Sequence, residues 1–299
     1  MNLKEIKRHK DIYLLMLIPI IYFIIFKYVP MLNGQIAFKD FKPRLGVWKS
    51  HWAGFKYFKE FFSSYYFWEL IRNTVGYSFG KLVLSVPLSI ILAVVLFESH
   101  REVLRKIVQT LTYLPHFLSW VIMYGILLSL LAPGDGVVND LLKMMGMEPI
   151  DFLTNTKCFP WIVLFSDAWK EMGWGAIIFI AALMGIDPSL YEAAMVEGTT
   201  AVQRTWYITL PSIRPVIVMV VLLKLGTILN AGFNQIFMLY NTSVFSVADI
   251  IDTWVYRQGL LDARFSLATA VGIFKGIIGT LLVAFANRLT KIVADSSLF

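Results

Sequence analysis

Four residues in one apolar run, Asp167, Lys170, Glu171 and Trp174, stand at i, i+3, i+4 and i+7, a spacing that brings them to a single face of a helix. Inside a hydrocarbon layer an ionisable side chain costs roughly 2.5–3.5 kcal/mol on insertion scales, so such a face turns toward water, a partner or a polar solute. The chemistry open to it is recognition, with an indole stacking on a ring of a polar solute while the ammonium and the carboxylates bind its hydroxyls. A structural account is equally open, in which Asp167 and Lys170 neutralise each other and Glu171 bonds to a neighbouring helix. Asn230 and Asn234 are i, i+4 in a later run, with Gly226 one turn earlier. They read either as lining of the same pathway or as amides and a glycine that pack helices together. Lys275 and Lys81 are further cations within apolar runs.

Bond-making chemistry is not encoded in a recognisable form. A phosphate-cradling Gly-x-x-x-x-Gly-Lys-Ser/Thr loop is missing, because Gly76 to Lys81 has the wrong spacing and Leu82 follows the lysine. The sequence has no His-Glu-x-x-His, no paired cysteines and no serine elbow, which leaves no catalytic residue, metal site or cofactor site to nominate. Its one cysteine, Cys158, cannot form an internal disulfide.

The elements that must position these residues are membrane helices. Hydrophobic residues make up 58% of the chain and charged residues 16%, against about 25% charged in ordinary soluble domains. Apolar runs at about 11–31, 73–97, 107–131, 159–186, 216–237 and 267–293 match the roughly 20 residues needed to cross a bilayer. The expected fold is all-α: a polytopic membrane protein of six transmembrane helices forming a single transmembrane domain over 1–299. Pro19, Pro87 and Pro115 fall inside these runs and predict kinks in the first three. The first run lacks a small-residue cleavage site and is expected to remain as a span. The basic residues Lys4, Lys7, Arg8 and Lys10 just before it place the N-terminus in the cytoplasm. Six spans then return the C-terminus to that side. Lysines and arginines divide evenly between the two sides, but those on the inner side crowd the span ends, where the rule has most weight.

Between the fourth and fifth runs lies a polar loop, about 187–215, with its own folding signals. Ser189 with Glu192 has the spacing of a capping box, Gly198 can end that helix in the left-handed conformation, and Thr200 with Gln203 repeats the cap. Two short helices are predicted, roughly 190–197 and 201–209, the second stopped by Leu210-Pro211 and Pro215.

The spaced pattern Glu192-Ala193-Ala194, Gly198, Ile208, Leu210-Pro211 resembles the EAA loop of permease subunits of binding-protein-dependent ABC importers. Residue 197 is Glu where that family usually has Asp, a change that keeps the charge. The runs KYVPMLNGQIAFKDF at 27–41, TYLPHFLSW at 112–120, DAWKEMGWGAIIFIAALMGIDPSLYEAA at 167–194 and IDTWVYRQGL at 251–260 extend the likeness over nearly the whole chain. They are similar to permeases for complex oligosaccharides within the maltose-transporter-like group. The resemblance implies a bacterial cytoplasmic membrane location, multi-pass, with both termini cytoplasmic. It also implies a heterodimer with a second, similar permease, two cytoplasmic ATPase subunits that carry ATP and Mg2+, and an extracytoplasmic solute-binding protein that delivers an oligosaccharide. In that setting the loop is a coupling helix: Glu192 is an acidic contact to the ATPase, Ala193 and Ala194 a small face for close approach, and Gly198 the turn.

The buried lysines raise the further expectation that the sugar carries carboxylates. An ion-coupled secondary transporter is the alternative that Asp167, Lys170 and Glu171 leave open, and a lipid-linked glycosyl transferase is a weaker one. Neither accounts for the loop. Nucleic acid is not an expected partner, whereas membrane lipid is. On the outer side, segment 32–72 is rich in rings, among them Phe38, Trp48, Trp52, Phe61, Tyr65 and Trp68. They are expected to form an interfacial belt, with sugar stacking as the other reading.

Overall fold

The computed structural model describes residues 10–99 and 101–294; Lys4, Lys7 and Arg8 of the basic tail lie outside them. Regular structure is almost wholly helical, as expected of a chain whose backbone groups must find partners without water. It divides into two compact units, one formed by the chain up to Phe67 with Val255–Lys275, the other by Trp68–Trp254 with the chain from Gly276 onward.

In the first unit, α1 (Lys10–Phe23) passes Pro19 and continues through a π turn at Ile24–Tyr28 and a 3-10 segment at Leu32–Phe38. The stretch Asp11–Phe38 is long and apolar enough to cross a membrane, and none of its most apolar window is buried. Beyond it, strands Lys39–Asp40 and His51–Trp52 pair antiparallel. Asp40 is fixed there by Lys56 at 2.8 Å and the Tyr57 hydroxyl at 2.5 Å. Part of the aromatic run builds a small core: Phe61 is buried against Phe67 and Phe274, with ring centroids 5.1 and 5.6 Å away. Trp48 and Tyr65 stay exposed.

The second unit is assembled from α2 (Phe67–Glu98), α3 (Glu102–Phe117), α4 (Trp120–Leu131), α5 (Phe159–Leu183), α6 (Pro188–Val196), α7 (Leu210–Leu225), α8 (Phe233–Leu239) and the later part of α9 (Phe265–Ala294). Counting Asp11–Phe38 of the first unit, four helical stretches among the described residues are long and apolar enough to span a membrane, or six if each bent pair counts as one span. Pro87 lies within α2 without interrupting it. Two apolar clusters hold the unit together. One joins Tyr77, Phe159, Val163 and Ile236, and the other joins Val86, Ala176, Phe179, Leu183 and Ile213. Glycines let α5 approach its neighbours: Gly173 lies against the Thr112 carbonyl of α3, and Gly175 against Ser89 of α2.

Two runs are interrupted, the first of them the run in which Pro115 predicts a kink. The run 107–131 is broken at Leu118 and Ser119, and the helices on either side meet at 113°. Leu118 and Ser119 are extended, and the Ser119 hydroxyl accepts from the Ile122 N–H at 3.3 Å to start α4. In the run 216–237 the helix ends at Leu225. A 3-10 turn at Ile228–Asn230 follows, then two left-handed residues, Ala231 (φ 47°) and Gly232 (φ 82°), before α8. Glycine suits 232 because L side chains rarely adopt φ 82°, and a Cβ there would also displace the Lys81 ammonium.

Candidate functional site

The polar loop folds as a hairpin of two helical arms. Its first arm, α6, is capped by Asp187, whose side chain accepts from the Ser189 N–H at 2.9 Å. The expectation that Ser189 and Glu192 form the cap is therefore corrected. Pro188 takes the first helical position, where its missing N–H is harmless, and the cap lies two residues upstream of Ser189. Hydrogen bonds from Ser189 hold the Asp187 carboxyl below its ordinary range. Gly198 is left-handed at φ 75°, as its type predicts.

The second cap forms as expected. Thr200 Oγ1 accepts from the Gln203 N–H at 3.3 Å, and Gln203 Oε1 accepts from the Thr200 N–H at 2.8 Å. Leu210-Pro211 does not stop this arm. Ala201–Arg204 passes through a π turn at Thr205–Thr209 directly into α7. The Leu210 N–H reaches the Thr205 carbonyl across that wider turn, and Pro211 falls at the start of the next segment, where a missing donor costs little.

Tyr191 and Thr209 hydroxyls meet at 3.0 Å and tie the arms together. Arg204 donates to the Thr199 carbonyl at 2.8 Å. Glu192, Ala193, Glu197, Gly198 and Pro211 are exposed, while Ala194, Ile208 and Leu210 are half-buried. Met195, Val196, Val202, Trp206 and Tyr207 also face outward. A mixed surface of this kind suits a protein partner better than bulk water.

On α5 the charged stripe is divided among different partners. Lys170 is buried and donates to the carbonyls of Pro115 and His116 at 3.1 and 2.5 Å, so its ammonium closes the C-terminal end of α3. Glu171 meets His116 Nδ1 at 3.0 Å and lies 3.9 Å from Lys170. Asp167 pairs with Lys81 at 3.1 Å rather than with Lys170. Lys81 also donates to Gln235 Oε1, and the fully buried Gln235 donates to the Val163 carbonyl at 2.7 Å and to Ser166 Oγ at 2.9 Å. One face of Trp174 is occupied, since the His116 ring stacks on it with centroids 4.5 Å apart.

These groups border a cavity of about 290 Å³ in the second unit. Asp167, Glu171 and Asn230 line it, whereas Lys170, Trp174 and Asn234 do not. Lys275 lies in the first unit and is not a lining residue. The expected common face for Asn230 and Asn234 is lost, because the left-handed break separates the 3-10 turn of one from the α-helix of the other. The lining also includes Ser78, Ser85, Trp120, Lys224 and Thr227, which the sequence reading passed over. Their signal was present: Ser78, Lys81 and Ser85 form an i, i+3, i+7 polar stripe in an apolar run, and Lys224 is the one ionisable residue of 216–237.

A family model described as "Binding-protein-dependent transport system inner membrane component" matches residues 85–296. Among curated proteins, Protein LplB of Bacillus subtilis (strain 168) is 42% identical over 98% of this chain and 92% of its own length. The Polygalacturonan/rhamnogalacturonan transport system permease protein YteP of the same strain is 41% identical over 98% of this chain and 91% of its own. A solved chain of a bacterial ABC transporter involved in the import of the acidic polysaccharide alginate superimposes with TM-score 0.90 at 40% identity, covering 97% of this chain and 98% of that one. A chain from a bacterial alginate ABC transporter in complex with an alginate pentasaccharide-bound periplasmic protein gives TM-score 0.91 at 39% identity, covering 99% of both.

Proposed function

The chain belongs to the family of inner membrane components of binding-protein-dependent transport systems, and from that premise we propose that it imports an acidic oligosaccharide by ATP-driven alternating access. It is an integral membrane transport subunit, not an enzyme. A second, similar permease completes the translocation path, two cytoplasmic ATPases carry ATP and Mg2+, and an extracytoplasmic binding protein delivers the sugar. Both termini and the hairpin lie on the cytoplasmic side of a bacterial cytoplasmic membrane.

The observation that carries this reading is the hairpin 187–215. Its arms are tied to each other through Tyr191 and Thr209, and its outer face, with Glu192, Ala193, Glu197 and Gly198, is open. Closure of the ATPases around bound ATP moves the hairpin, α7 follows as its continuation, and the cavity turns outward to take sugar. Hydrolysis resets it. The choice of an acidic sugar is supported by relatives whose names specify polygalacturonan, rhamnogalacturonan and alginate. The ion-coupled alternative loses its ground within this family, and Asp167 and Glu171 each have a basic partner that accounts for a charge in an apolar helix.

Replacing Glu192 by Lys reverses the charge of the exposed contact. In the reconstituted importer this variant should fail to retain the ATPase on purification, or should hydrolyse ATP without moving sugar. Intact, coupled transport by Glu192→Lys would sink the assignment of the hairpin.

A further inference from the structure

The cavity beside α2, α5 and the break after α7 contains an uneven charge balance. Asp167 is matched by Lys81, and Glu171 by His116 and Lys170. Lys224 is left over: its hydrogen-bond partner among the described residues is Ser85 Oγ at 3.5 Å, and no carboxylate is bonded to it. A second group in the same wall is also unspent. Ser78 Oγ is buried and has no hydrogen-bond partner, a state that buried hydroxyls rarely tolerate unless a ligand or water completes it. Ser78 and Ser85 are seven residues apart on α2, so both face the cavity from one side of that helix.

We propose that Lys224 is the residue that selects for charge on the transported sugar. Its ammonium binds a uronate carboxylate while Ser78 takes a ring hydroxyl, and Lys81 and Lys170 hold the walls. The proposal rests on the reading of the chain as an acidic-oligosaccharide permease and adds which cation does the selecting. A carboxylate is the fitting ligand for Lys224 because it offers acceptors only, which match an ammonium with three donors, while a ring hydroxyl can accept the free proton of Ser78. Screening inside the cavity is weak, so the contact discriminates between a charged and a neutral sugar more than it would in water. Lys81 is less suited to this role, since its charge is already met by Asp167 and a second donor goes to Gln235.

The test uses the complete importer in proteoliposomes with its binding protein, supplied with a labelled uronate oligosaccharide or its carboxyl-reduced counterpart of equal length. Lys224→Gln should raise the apparent KM for the uronate by about tenfold or more, the size of one charge-assisted hydrogen bond. Transport of the reduced sugar should change by less than about twofold on the same scale. Lys224→Arg, which keeps the charge, should retain the preference and shows that the position tolerates substitution. Ser78→Ala should weaken both sugars alike, since it contacts a hydroxyl. Equal losses for both sugars in Lys224→Gln, or no loss for either, would overturn the role of Lys224 while leaving the acidic-oligosaccharide reading in place. A wild-type importer that moves the reduced sugar as well as the uronate would overturn both.

Discussion

Three lysines of the second unit, alike in a sequence, do different things in the fold. Lys81 answers a carboxylate and an amide, Lys170 answers two carbonyl oxygens at a helix end, and Lys224 has only a distant hydroxyl. Burial separates them less than partners do. Lys170→Met should therefore act on stability: the free carbonyls of Pro115 and His116 lose charged hydrogen bonds, at a cost of about 1.5–3 kcal/mol. Thermal unfolding of the purified complex should register this, while the ratio of uronate to neutral transport stays as in the wild type. A changed ratio would mean that Lys170 reaches the sugar. The stripe Asp167, Lys170, Glu171 and Trp174 was legible as a helical face, and its residues do share α5. Its division among α2, α3 and the cavity was not, because which neighbour each side chain meets is decided by packing rather than spacing.

Among the elements, those with strong local chemistry were readable and those shaped by neighbours were not. Gly198 and the Thr200–Gln203 box follow from backbone sterics and cap geometry, and both appear as expected. Thr200→Ala removes the acceptor of the Gln203 N–H and should destabilise the second arm by about 1 kcal/mol. The expected readout is weaker coupling of ATP hydrolysis to transport, with no change in which sugar is moved. The shift of the first cap to Asp187 follows from one proline, a signal that competes directly with the Ser189 and Glu192 spacing. The end of α7 at Leu225 was hidden for a different reason: hydropathy continues unbroken through 216–237, and Ala231, not a residue type that favours the left-handed region, gives no local signal of the left-handed pair it forms with Gly232. Pro211 misled in the opposite direction, because a π turn can carry a helix past a proline that an α turn would not accept.

As a whole molecule the chain reads as one part of a larger machine. The most apolar window of Asp11–Phe38 has no buried residue among the described ones, the surface expected of a helix that meets lipid. In the proposed assembly energy comes from the partner ATPases, and the sequence offers no phosphate loop of its own. Purified alone, the chain should show no ATP hydrolysis above background, and chelation of Mg2+ should leave its thermal unfolding unchanged. The same chelation should arrest transport by the full importer. Mg2+-dependent hydrolysis by the isolated chain would contradict the division of labour proposed here.

One helical rod runs from Ala201 to Leu225, 25 residues through the π turn, and so spans roughly 37 Å at 1.5 Å per residue. The hairpin surface sits at one end and Lys224 at the other. A rod transmits an axial push without dilution, so a stroke of only 1–2 Å at the hairpin, about one residue's rise, arrives at the ammonium nearly whole. With Ser85 already at the 3.5 Å limit of a hydrogen bond, a stroke of that length is enough to make or break the contact. Grip on the cargo would then be timed by the same displacement that opens the path, with no separate release step required.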